Sequence, residues 1–263
     1  MITNLYIYSG LGNIIAILDS LSMELEINSE DVIQLNQQQD IAFDQLIVVL
    51  PPLHHENDLD VDIFNNDGSK ASNCINGARC ISKFIQDQAL LPSTDIRVNT
   101  DGGIWNLKAI NEDTFTAAFQ LNDSLSEVHI NHKSNHLMLD CINLGNPHGV
   151  TFNEPKIDFD FQKFGNYLQN HESFEGGVNF GLASKMSKNE IMLRVFERGA
   201  GETLACGSGA CAAAVIGILK KELETPVKVN FELGNLLIDY NEESKIISAT
   251  GGAEFLEKKE ITI

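Results

Sequence analysis

The chain has 263 residues, room for two domains of ordinary size. It is 43% hydrophobic and 21% charged, as soluble globular proteins are, and its net charge of -19 repels phosphate backbones, which argues against a nucleic-acid partner. No apolar run approaches the ~18 to 20 residues that span a bilayer, and the start, MITNLYIYSG, lacks a basic segment followed by a cleavable apolar one, so a cytoplasmic location and no membrane partner are expected.

Hydrophobic period predicts the elements in order. Strands are expected over Leu5–Tyr8 and Ile14–Leu18, then a weak helix over Asn28–Gln39. Strands follow at Leu46–Leu50 and Val61–Phe64, a helix at Ile75–Leu90, and strands at Ile96–Asn99, Ile104–Ile110 and Phe115–Leu121. Asn122–Asn135 is a polar seam. Beyond it come a strand at Leu137–Asn143, a weak helix at Phe159–Gln169, and strands at Val178–Ala183 and Ile191–Glu197. A helix over Gly207–Glu222 and strands at Val227–Leu233, Leu236–Tyr240 and Lys245–Thr250 close the list. The fold class is therefore α+β.

Two stretches repeat each other. SNCINGARC around Cys74 and LACGSGAC around Cys206 share the form Cys-x-(Asn or Ser)-Gly-Ala, then a second cysteine and an apolar run. Phe64 and Phe196 each stand ten residues before their cysteine. LGN occurs at Leu11–Asn13 and at Leu144–Asn146, and Val98-Asn99 answers Val229-Asn230. Matches in this order predict two similar halves offset by about 132 residues, 1–122 and 123–263, with the last strand packing back on the first half. Each half is then strands around one long helix.

Each cysteine stands just before its helix. The first N–H groups of a helix have no intrahelical partner and carry the positive end of the macrodipole. They stabilise an anion, so a thiol there is expected to fall from its free pKa of ~8.5 toward neutrality, and the same groups hold a substrate carboxylate. Gly77, Gly207 and Gly209 permit close backbone approach. Two opposed thiols suit the inversion of a stereocentre: a thiolate takes the α-proton from one face and a thiol returns one to the other. With each sulfur ~3 to 3.5 Å from the carbon, the pair must sit about 7 Å apart. The five cysteines are expected to be free thiols, with Cys80, Cys141 and Cys211 in packing roles. No lysine stands in a recognisable pyridoxal-phosphate setting and no His/Asp/Glu cluster suggests a metal, so a cofactor-free mechanism is expected.

FNNDGSKASNCINGARC and ERGAGETLACGSGACAA resemble the two signature regions of the diaminopimelate epimerase family. GLGN at Gly10–Asn13, FDQLIVV at Phe43–Val49, GNPHGV at Gly145–Val150 and GVNFG at Gly177–Gly181 add to the resemblance, which spans nearly the whole chain. It implies two pseudo-symmetric domains, each a mostly antiparallel sheet or barrel wrapped around a central helix, and a homodimer. It implies an isomerase that interconverts LL- and meso-2,6-diaminopimelate without cofactor, on the route to lysine and peptidoglycan.

Carried over residue by residue, the resemblance makes Cys206 the base toward the LL isomer and Cys74 the acid. His148 and Glu197 tune the thiols. Asn13, Gln45, Asn65, Ile75, Asn76, Asn146, Asn179, Glu197, Arg198, Gly207 and Ser208 fall on substrate-contact positions. Arg198 is the natural partner of a distal carboxylate, because its planar fork matches one. The chain departs from the family pattern at four places. Ile75 replaces a glycine and is expected to resist a positive φ. Ile14-Ile15 replaces Asp-Phe, Gly177 replaces an arginine, and Ser9 stands where histidine is common.

Other readings stay open on these residues. Another two-cysteine amino-acid racemase, proline racemase-like, keeps the fold and changes the substrate. A redox thiol protein or a catalytically weak paralogue is the alternative that Ile75 favours. His54-His55 reads as a surface loop, His129, His132 and His136 as loop residues, and Trp105 as filling a sheet face.

Overall fold

The structure, a computed structural model, describes residues 2–21, 25–38, 42–132, 135–152 and 159–263. In chain order the elements are β1 (Ile2–Gly10), β2 (Asn13–Asp19), α1 (Ser29–Asn36), β3 (Gln45–Leu50), β4 (Leu59–Asn65), α2 (Ile75–Asp87), β5 (Asp95–Thr100), β6 (Gly103–Ala109), β7 (Thr114–Gln120), β8 (Ser126–His132) and β9 (Asn135–Asn143). They continue with β10 (Pro147–Thr151), α3 (Phe161–Leu168), β11 (Asn179–Ser187), β12 (Glu190–Glu197), β13 (Gly201–Thr203), α4 (Gly207–Leu219), β14 (Val227–Phe231), β15 (Gly234–Asn241), β16 (Ile246–Gly252) and β17 (Glu254–Thr262). The expected end of the first weak helix, Gln39, lies outside the described residues. Among the described residues no helix is long and apolar enough to cross a membrane.

The chain forms two compact units, Met1–Phe119 with Thr250–Ile263, and Gln120–Ala249. In the first, β1 and β2 form an antiparallel hairpin whose two turn residues, Leu11 and Gly12, have φ of 58° and 81°. Two left-handed residues give the turn the twist that matches the strands, and Asn13 begins β2 at once. β2 then runs parallel to β3 through a crossover containing α1, and β3 is antiparallel to β4. β4 runs parallel to β5 through a crossover containing α2, and β5 to β7 continue antiparallel.

The second unit repeats this order of pairings. β9 and β10 are antiparallel, and β10 and β11 are parallel across α3. β11 and β12 are antiparallel, and β12 and β14 are parallel across α4. β14 and β15 are antiparallel. The outer neighbour of the leading strand also has a counterpart. β8 pairs with β9 here, and β17 pairs with β1 in the first unit. The fold is α+β, with two helices among the described strands of each unit.

In the first unit, Leu5 and Ile7 of β1 face a cluster with Val32 and Leu35 of α1. Tyr6 and Tyr8 point the other way and stack edge-on against Phe84 of α2. A strand covered on both faces reads as a continuous apolar run, as β1 does. The second unit does the same with α3, where Phe161, Phe164 and Leu168 pack on Val178, Phe180 and Phe196. Ten of the thirteen residues of α2 and eleven of the thirteen of α4 are buried. The Ala212–Ala214 run of α4 keeps that helix thin, so strands close around it.

Four strands were not legible. β8 buries only Ile130 and β17 only Ile261, so neither shows a clean alternation. Both exist because a leading strand offers them backbone partners. β10 opens on a proline and carries a glycine, which is tolerated at the first strand position, and β13 has three residues. The histidine reading is corrected accordingly: His129 and His132 lie on β8 and His136 on β9, not in a loop. The two long helices are shorter than expected, ending at Asp87 and Leu219.

Helix α3 lies close on the Phe196 ring: a Cβ added at Gly165 would sit 2.3 Å from it. In a free helix, alanine for glycine stabilises by about 1 kcal/mol. Here Gly165→Ala is expected to reverse that sign and destabilise by about 1 to 3 kcal/mol, which lowers the melting temperature by several degrees. A variant that melts higher than the parent would show that α3 does not sit on that ring.

Candidate active site

Both long helices begin in the same way. Cys74 caps α2 with φ -148° and ψ 98°, and its sulfur accepts the Gly77 N–H at 3.2 Å. Cys206 caps α4 with φ -137° and ψ 117°, and its sulfur accepts the Gly209 N–H at 3.3 Å. Serine or aspartate usually takes this position. A sulfur is larger, and glycine three residues on makes the approach possible. A Cβ at Gly77 would lie 3.1 Å from the sulfur and 2.5 Å from Ile47. A Cβ at Gly209 would lie 3.4 Å from its sulfur and 3.1 Å from Val195. Both cysteines are buried, and all five in the chain are free thiols.

Around Cys74 the first unit gathers Asn13, Gln45, Asn65, Ile75 and Asn76. Gln45 and Asn65 are direct cross-strand partners on β3 and β4. Gln45 Nε2 donates to Asn65 Oδ1 at 3.2 Å, and the Cys74 thiol donates to Gln45 Oε1. Asn76, in the first turn of α2, donates to Asn13 Oδ1 at 3.4 Å. Two residues that sequence reading missed hold these amides. Asp44 Oδ2 accepts from Asn13 Nδ2 at 2.9 Å and from the Ile14 N–H at 2.7 Å. Arg79, fully buried, donates to Asn76 Oδ1 at 2.8 Å and to the Ile75 and Gly252 carbonyls. The register of β3 explains Asp44, since it precedes Gln45. Arg79 gave no local signal, because its neighbours three and four residues away on α2 include Asn76, Ser82 and Lys83, as on a solvated face.

The second unit gathers Asn146, His148, Asn179, Glu197, Arg198, Cys206, Gly207 and Ser208. His148 and Asn179 are register partners on the parallel strands β10 and β11. Asn179 Oδ1 accepts the Arg198 N–H at 2.9 Å, and its Nδ2 donates to the Pro147 carbonyl. His148 is 2% exposed and its Nε2 lies 2.9 Å from Asn146 Oδ1. Burial, with the Arg198 charge added, pushes its pKa down to about 3, so the ring is neutral. With an amide oxygen as partner, Nε2 carries the proton and Nδ1 the lone pair. Glu197 Oε1 accepts from Thr203 Oγ1 at 2.5 Å, a partner that sequence reading also missed.

The expected fall of the thiol pKa is corrected at Cys206. Burial, and after it the Glu197 carboxylate, push that thiol well above its usual value. The Ser208 hydroxyl and the Gly209 N–H act in the opposite direction and are outweighed. Desolvation penalises the thiolate more than one helix-end donor favours it. Cys206 therefore rests as a thiol hydrogen-bonded toward a carboxylate. Cys80 and Cys141 are each pushed up to about 12, chiefly by burial, and stay inert.

The departures from the family pattern have local explanations. Ile75 is the first helical residue of α2, so no positive φ is asked of it, and it is buried. That corrects the expected strain. Ile14 serves through its N–H, and Ile15 is core. Ser9 Oγ accepts the Gly12 N–H of the hairpin turn at 3.1 Å. Gly177 has φ 86°, and a Cβ there would stand 2.6 Å from Gln169 Oε1 and 3.2 Å from the Arg198 stem.

The family model described as diaminopimelate epimerase matches residues 5–120 and 141–256. A diaminopimelate epimerase of Teredinibacter turnerae is 34% identical over 258 residues, 93% of this chain and 94% of that protein. Among solved structures, a Bacillus anthracis phenazine biosynthesis protein of the PhzF family matches with TM-score 0.73, 13% identity and full coverage of both chains. A probable proline racemase from Agrobacterium radiobacter matches with TM-score 0.70 and 13% identity, covering 99% of this chain and 93% of that one. At such identity the solved structures speak for the fold alone. The matched family model covers most of both units, and the curated relative is aligned almost end to end: the chain belongs to the diaminopimelate epimerase family.

Proposed function

We propose that the chain is a cofactor-independent epimerase that interconverts LL- and meso-2,6-diaminopimelate, with Cys206 and Cys74 as its two acid/base groups. The observation that carries the reading is the matched pair of thiol caps, each accepting the N–H of a glycine three residues on, in a chain of this family. The proposal extends to a homodimer acting in the cytoplasm, in the supply of a lysine and peptidoglycan precursor.

Toward the LL isomer, Glu197 takes the Cys206 proton and the thiolate removes the α-proton from one face. The Cys74 thiol gives a proton to the other face, leaving its own thiolate. Charge developing at the α-carbon passes into the α-carboxylate, where first-turn N–H groups of the capped helices receive it. The bulk of the barrier reduction comes from this fixed donor set in a dry site, because water does not have to reorganise around it. Arg198 holds the distal carboxylate, which favours a substrate with a second charged end over proline. Asn13, Gln45, Asn65, Asn76, Asn146 and Asn179 orient the two amino-acid ends. Neutral His148 keeps Asn146 in place through its Nε2 proton.

Cys74→Ser and Cys206→Ser are each expected to lose turnover by about 10²-fold or more, read as deuterium incorporation at the α-carbon of diaminopimelate in heavy water, with reductant present. Full turnover by either variant would end the two-thiol scheme, and exchange of proline instead would move the substrate.

Glu197→Gln separates two effects of the carboxylate. Removing its negative charge lowers the Cys206 pKa, since that charge raises it. Cys206 is therefore expected to alkylate faster at neutral pH. Catalysis falls about 10²-fold all the same, because the amide cannot take the thiol proton. If alkylation of Cys206 slows in this variant, Glu197 is not the group that holds the thiol protonated.

A further inference from the structure

A chain of hydrogen bonds in the first unit has a direction, and its far end is a residue with no part in the mechanism above. Asp67 and Ser69 lie in the turn after β4. The Gly68 N–H donates to the Asn65 carbonyl at 2.9 Å, the Asn65 N–H donates to the Ser69 carbonyl at 2.8 Å, and Gly68 has φ 82°. This turn brings the Ser69 hydroxyl against the Asn65 side chain. Ser69 Oγ donates to Asp67 Oδ1 at 2.6 Å, and the Ser69 N–H donates to the same oxygen at 2.9 Å. Those two bonds hold the Asp67 carboxyl below its usual pKa, so it is ionised and accepts only.

The rest follows from counting protons. The one hydroxyl proton of Ser69 is given to Asp67, so its oxygen must accept from Asn65, which it does from Nδ2 at 3.0 Å. Asn65 therefore turns its Oδ1 toward Gln45, and Gln45 Nε2 donates to it at 3.2 Å. Gln45 then has only its oxygen left for Cys74, and the thiol donates to it. An acceptor facing sulfur favours S–H over S⁻. Cys206 differs, because it faces a carboxylate that can take its proton.

We propose that Asp67, acting through Ser69 and Asn65, fixes the Gln45 amide with its oxygen toward Cys74, so that Cys74 rests as the protonated thiol and serves first as the acid. Asp67 and Ser69 are positioning residues for that thiol. The inference rests on the reading that Cys74 is catalytic, and it adds how the direction of the first proton transfer is set. On the same helix Cys80 interacts with Cys74, and Arg79 with Cys80, while the Gln45 amide faces the Cys74 sulfur from β3. All three are unchanged in the variants below.

The test is the rate of iodoacetamide alkylation of the free enzyme against pH, resolved by mass spectrometry at the Cys74 and Cys206 peptides. In Asp67→Ala the Ser69 proton is released, both amides can turn over, and Nε2 of Gln45 can face the sulfur. The alkylation midpoint of Cys74 is expected to fall by about one unit, with the high-pH plateau rate unchanged and the Cys206 curve unmoved. Ser69→Ala is expected to shift Cys74 in the same direction by less, and Ser69→Thr, which keeps the hydroxyl, to restore the parent midpoint. Should Asp67→Ala not fold, the two Ser69 variants carry the test alone. A Cys74 midpoint that stays put or rises overturns the inference, as does a raised plateau with an unmoved midpoint, which is the signature of a loosened turn. If Cys74→Ser keeps full turnover, the functional reading fails by itself, while the midpoint still decides the hydrogen-bond chain.

Discussion

A buried sulfur accepting the N–H of the residue three places on starts each of the two helices around which the units are built. As a cap, a thiol is inferior to serine or aspartate, because sulfur is a weak acceptor. It also demands glycine at the bonded position, at some cost to the helix. Nothing in stability recommends this arrangement. It puts a polarisable acid/base group at the end of a helix, with orphan N–H groups beside it, inside a desolvated site. Those are conditions for handling an anionic substrate and a carbon acid together.

The two sulfurs are alike in backbone and unlike in partner. Cys206 looks at Glu197, a group that can accept a proton, and Cys74 looks at an amide oxygen, which cannot. A reversible epimerase needs both thiols to take either role during the cycle. Under the proposed scheme the resting protein holds one assignment, set by what stands opposite each sulfur. Burial and the Glu197 carboxylate raise the pKa of Cys206, and the Ser208 hydroxyl and the Gly209 N–H at the helix end, which lower it, are outweighed.

Pairing order is the same in both units, antiparallel and parallel in alternation, with a crossover helix at each parallel step. The outer strand beside the leading one comes from just upstream in the second unit and from the C-terminal end in the first. The departures at Ile75 and Gly177 are local accommodations of the same scaffold. Ile75 needs only helical dihedrals, and Gly177 leaves room for Gln169 Oε1 and the Arg198 stem.

By itself the sequence determined the α+β class, the thirteen strongest strands, the two buried helices, and the two cysteines at their starts. These are legible because they depend on local period and on a repeated motif, both carried by neighbouring residues. Only the tertiary structure decided which amide faces which sulfur, that Asp44, Arg79 and Thr203 hold the site residues, and that Cys206 is driven up rather than down in pKa. It also made strands of β8 and β17, whose own residues bury almost nothing. The reason is the same in each case. Register, burial depth and the direction of a hydrogen bond are properties of pairs distant in the chain, and no local pattern encodes them.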